Sequence, residues 1–72
     1  MFECLMYVYN YRKFNYWLRE FDSRRGREAT DQAYILATKY GEEVIQLSKE
    51  LGLEDLMIRR DLERIVKEWE RK

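Results

Sequence analysis

The sequence predicts an all-α domain, and three observations carry that reading. Apolar residues recur at alternating spacings of three and four, in Tyr7, Tyr11, Phe14, Leu18 and Phe21 and again in Ile58, Leu62, Ile65 and Trp69. The chain has no proline, and its three glycines stand alone rather than in turn-forming clusters. Near the end, Asp55 with Arg59, Glu63 with Lys67 and Glu68 with Lys72 stand in the acid-before-base order that supports a helix at i,i+4. The expected architecture is a small four-helix domain with a helix-turn-helix-like pair around Gly52. Residues 1–72 form one domain: an aromatic segment 1–21, a basic linker 22–27 and a helical region 28–72.

In chain order, residues 1–21 read as a helix with one apolar stripe, since only Val8 is β-branched and no turn residue interrupts the run. The aromatic content of residues 2–11 also suits a strand, which would pair with a second copy as a two-fold ribbon. Tyr7, Tyr9, Tyr11, Tyr16 and Trp17 interleave with Arg12, Lys13 and Arg19, a composition suited to a protein interface or to stacking on bases. Asp22 to Arg27 is the linker, where Gly26 breaks the periodicity and Arg24, Arg25 and Arg27 make a cationic loop. Thr30 is placed to cap the next helix, whose buried face is Ala33, Leu36, Ala37 and Tyr40. Gly41 ends that helix, or the pattern runs through it to Val44 and Leu47; ending it there gives the count of four. Gly52 can take the left-handed conformation that closes the helix before it, with Leu53 folding back and Asp55 capping the helix that follows. Such a turn joins either a helical hairpin or a crossed DNA-binding pair.

Composition limits the functions. A 72-residue chain hides only about 60% of its unfolded surface. With 46% apolar residues and eleven aromatics, the chain is expected to cover the excess by pairing as a homodimer, with Tyr7, Tyr11, Phe14, Leu18 and Phe21 as the interface stripe. Fourteen basic side chains balance fourteen acidic ones, so no global basic field marks a nucleic-acid binder. The charge is uneven, however: residues 1–27 carry six basic and three acidic groups, and residues 28–72 carry eight and eleven. Cys4 is the only cysteine and histidine is absent, which leaves no internal disulfide and no cysteine-based zinc site and removes both the commonest general base and the commonest transition-metal ligand. Neither an enzymatic activity nor a cofactor is expected, and a lone thiol fits a reducing cytoplasm. The longest apolar run, Cys4 to Tyr9, is far short of the roughly 20 residues of a membrane span, so no membrane partner is expected.

Two stretches resemble known families. From Leu47 to Leu62 the chain is similar to the helix-turn-helix of the DeoR family of bacterial sugar-responsive repressors. Leu51, Gly52 and Leu53 stand at its turn, and Ile58, Arg59, Arg60, Asp61 and Leu62 match its Ile-Arg-Arg-Asp-Leu recognition run. The resemblance implies a transcriptional regulator of double-stranded DNA in which Arg59 and Arg60 face the duplex. The wing hairpin of that family has no counterpart before Lys72, so Arg24, Arg25 and Arg27 are expected to add phosphate contacts. Residues 36–57 resemble small two-helix phosphatases of sporulation response regulators. Their Ser-Gln-Glu-Leu-Asp core is here Ser48, Lys49, Glu50, Leu51 and Gly52, with both functional positions replaced. That likeness implies a hairpin that grips another protein, without the activity. The alternative to a DNA-binding regulator is therefore a non-enzymatic helical adaptor or inhibitor.

Overall fold

The computed structural model describes residues 2–23, 26–53 and 55–71, with Glu3 described by its backbone alone. It contains three helices, α1 (Phe2–Ser23), α2 (Arg27–Glu50) and α3 (Leu56–Glu70), and no strand among the described residues. The all-α class stands, but the expected count of four helices becomes three. Gly41 lies inside α2 instead of ending it. It is buried there, and a β-carbon added to it would come within 2.8 Å of Leu62 Cδ2 and 2.9 Å of two ring carbons of Phe14. This glycine is a point of close approach between helices rather than a stop. The alternative strand over residues 2–11 is likewise replaced by the first half of α1.

Contacts repeat every seven residues and fix the topology. Phe14 of α1 and Leu62 of α3 meet over Gly41 of α2. One layer further along, Phe21 lies 6.1 Å from Tyr34, and Tyr34 stacks on Trp69 with ring centres 4.5 Å apart and planes 5° from parallel. One layer in the other direction, the Tyr7 hydroxyl donates to Asp55 Oδ2 at 2.5 Å. Positions therefore rise together in α1 and α3 while they fall in α2. The result is an elongated bundle, 38 × 18 × 13 Å, with α1 and α3 parallel and α2 antiparallel to both.

The core runs along the bundle axis and draws on every helix: Phe14 and Phe21 from α1, Ala33, Ala37 and Val44 from α2, Ile58 and Ile65 from α3. Alanines at the middle of α2 let α1 approach closely, so this pair packs along nearly its whole length. Tyr11, Leu18, Ile45 and Leu62 close the sides. Beyond the core, Arg64 of α3 donates from both terminal nitrogens to the carboxylate of Asp22 at 2.9 and 3.0 Å. That forked pair and the Tyr7–Asp55 bond tie α1 to α3 near opposite ends.

Helix ends follow the sequence in one place and depart from it in two. At Gly52, φ is 74°, and the Leu53 and Gly52 amides donate to the carbonyls of Ser48 and Lys49, the double closure of a Schellman turn. Thr30 does not cap α2. The helix starts earlier, with Gly26 in the N-cap position, and the buried Thr30 hydroxyl donates to the Gly26 carbonyl at 2.6 Å from inside the first turn. Arg27, Glu28 and Ala29 are good enough helix formers to begin the helix, and Glu28 suits its positive end. Asp55 does occupy the N-cap position of α3 but makes no side-chain cap, because its carboxylate is taken by Tyr7.

Candidate interaction surface

Of the cations expected to face DNA, the described ones, Arg27, Arg59 and Arg60, do not converge. Arg59 and Arg60 are exposed on α3, and among the described residues no hydrogen bond or ion pair within the chain engages either side chain. Arg27 is exposed in the first turn of α2. Through the antiparallel register Arg59 stands level with Val44, so about 25 Å of α2 separates its level from Arg27. Arg24 and Arg25 lie outside the described residues. Around Arg60 the charges are mixed: Arg64, Lys67 and Arg71 line one shallow groove with it, together with Glu63 and Glu68. Residues α2 and α3 form a hairpin rather than a crossed pair, since Gly41 meets Leu62 and Tyr34 meets Trp69 seven residues away on each helix. Helices crossing at the roughly 90–120° of a helix-turn-helix would separate over that distance.

The expected interface stripe is also redistributed. Phe14 and Phe21 are 0% and 1% exposed, so their surface is spent inside the chain and they are corrected from interface to core. Tyr7, Tyr11 and Leu18 are half-buried against that core. The physical reason is register: the stripe that repeats at three and four is the one that pays best to bury, and α2 and α3 bury it. Hydrogen bonding to Asp55, together with burial and the nearby carboxylate charge, pushes the Tyr7 phenol up to about 12.

The opposite face of α1 is the one left uncovered. Leu5 is 71% exposed, Val8 48%, Tyr9 50% and Tyr16 51%, an unusual density of large apolar side chains for the outside of one helix. They are ordered as two ridges at spacing four, Leu5–Tyr9–Lys13 and Val8–Arg12–Tyr16, and these six side chains line the groove between the ridges. Each ridge carries one cation, and the two stand side by side in sequence at Arg12 and Lys13. The Lys13 ammonium sits 5.7 Å from the centre of the Tyr9 ring, which holds its charge over the apolar surface. Tyr16 is braced edge-on by Trp17 at 4.9 Å and 88°. The next turn continues the face with Arg19, Glu20 and Ser23.

Sequence reasoning had these aromatics and cations in one mixed set, and the fold divides it. Tyr9, Tyr16, Arg12 and Lys13 point outward; Tyr7, Tyr11 and Trp17 pack towards the core. Leu5 and Val8 were missed as site residues, although their spacing of four from Tyr9 and Arg12 was a usable signal. Among the described residues no group of His, Cys, Asp and Glu is placed to hold a metal ion. None of the described helices is long and apolar enough to cross a membrane. Compared with family models, with curated protein sequences and with solved structures, the chain matches none.

Proposed function

We propose that this protein is a non-enzymatic helical interaction module, an adaptor or inhibitor whose working surface is the outer face of α1. The observation that carries the reading is the pair of exposed apolar ridges flanking a groove on a helix whose other face is already fully used by the core. Exposed apolar surface of this kind costs solubility unless a partner covers it. The bundle supplies rigidity, so the face is preorganised and a partner need not order it on binding.

A regulator that binds double-stranded DNA is the second reading. In its favour are the unengaged Arg59 and Arg60 and the glycine turn before them. Weighing against it are the hairpin geometry of α2 and α3, the two carboxylates that share the groove with Arg60 and the distance to Arg27. The two readings separate by light-scattering mass with and without random-sequence duplex DNA, at low and at moderate salt. A mass indifferent to DNA at low salt is expected for the interaction module. A heavier complex that dissolves as salt rises overturns it in favour of the regulator, because phosphate contacts release counterions and are steeply salt-dependent.

A further inference from the structure

Resting on the interaction-module reading, we infer that the groove on α1 receives an acidic amphipathic helix of another protein, seated ridge into groove with its carboxylates against Arg12 and Lys13. Shape argues for a helix. The ridges Leu5–Tyr9–Lys13 and Val8–Arg12–Tyr16 are the i±4 rows of an α-helix surface, and the channel between such rows is complementary to the corresponding row of a second helix. From Leu5 to Tyr16 the channel is about 16 Å long, three turns of a partner helix, which is the span of an i, i+4, i+7 or i+8 set of anchors.

Charge argues for an acidic partner and against a second copy. Arg12 and Lys13 are exposed in the second half of the groove, Arg19 follows one turn after Tyr16, and Glu20 is the one acidic side chain described beside them. Asp22, the other described carboxylate of α1, is engaged by Arg64 on α3. Pairing two copies through this face would bring like charges together within one groove, a repulsion that a partner carrying Glu or Asp at that level converts to attraction. The order of the face also specifies the partner: apolar side chains opposite Leu5, Val8 and Tyr9, carboxylates opposite Arg12 and Lys13, then an apolar or aromatic group for Tyr16.

The test titrates the full chain with three labelled synthetic helical peptides that share one apolar row and differ in flanking it with Glu, Gln or Lys. Fluorescence anisotropy is read at low and at high salt. The Glu peptide is expected to bind at least about tenfold tighter than the Lys peptide at low salt, with the gap narrowing at high salt. In the double variant R12E/K13E the preference is expected to invert, while far-ultraviolet dichroism and melting temperature stay as in the wild type because both side chains are exposed. Equal affinity for the three peptides, no binding, or a preference that survives the charge reversal overturns the inference. So does retention on phosphatidylserine vesicles in place of the peptides, which would assign the face to a lipid surface. A concentration-dependent doubling of mass that Val8→Asp abolishes would assign it to a second copy, again overturning the inference. Loss of the acidic preference with DNA still ignored removes the partner class alone, whereas DNA binding removes the reading beneath it.

Discussion

At the scale of single residues, Tyr7 and Gly41 do work that their residue types do not announce. The Tyr7 phenol is held protonated by its hydrogen bond to Asp55, with an affinity for its proton pushed up from 10.0 to about 12. An unfolded chain loses that proton first, so the contribution is complete below pH 10 and fades as pH climbs towards 12. Tyr7→Phe is expected to lower stability by about 1 kcal/mol near neutrality and to flatten the alkaline decline, as read from urea unfolding across that pH range. At Gly41 two effects compete. An alanine gains about 1 kcal/mol of helix propensity but forces its methyl against the buried Phe14 ring, an overpacking that costs about 1–3 kcal/mol. The crowding wins because Phe14 is fully enclosed and cannot retreat. Gly41→Ala should therefore melt at a lower temperature than the wild type, and its penalty should be smaller when measured in a Leu62→Ala background, where one of the two crowded contacts is gone.

Helices and turns are where the sequence was most and least legible. The all-α class, the seven-residue spacing of α1 and α3 and the left-handed turn at Gly52 follow from local patterns, and the structure contains all three. What sequence could not reveal depends on partners far along the chain. Gly41 reads as punctuation until Phe14 and Leu62 are seen filling its missing side chain; Asp55 reads as a cap until Tyr7, forty-eight positions earlier, claims its carboxylate. The same holds for the site: the aromatic and basic residues of α1 were visible as a set, but which of them face out is decided only by how α2 and α3 settle. The turn at Gly52 offers a clean check on one of these elements. Nothing lies within 4 Å of a β-carbon added there, so the cost of a side chain is purely conformational. Gly52→Val should destabilise by about 1–2 kcal/mol, whereas D-alanine at the same position, installed by chemical synthesis, should be neutral or stabilising in thermal melts.

For the molecule as a whole, the arrangement is a rod with apolar side chains exposed along the outer face of α1 and around the turn into α3, and with charge distributed unevenly along the sequence. The neutral total conceals it: the first 27 residues carry six basic and three acidic groups and the remaining 45 carry eight and eleven, and the excess of the first stretch is Arg24, Arg25 and Arg27, since residues 2–23 balance three against three. The two ends of the rod are also closed by different means. Near the turn into α2, Phe21, Tyr34 and Trp69 pile ring upon ring beside the Arg64–Asp22 fork; at the other end, among the described residues, a single phenol–carboxylate bond joins α1 to the start of α3, near the exposed Leu5, Leu53 and Leu56. The bundle should accordingly open from one side, like a clasp with a fixed hinge. In native-state hydrogen exchange the amides of Val8 to Arg12 are expected to exchange well before those of Leu18 to Phe21, and equal protection along α1 would contradict the asymmetry. Because the groove occupies the half that opens more readily, a helix seated in it would act as the missing fastener, and slowed exchange over Val8 to Arg12 would register its arrival without any change in the fold.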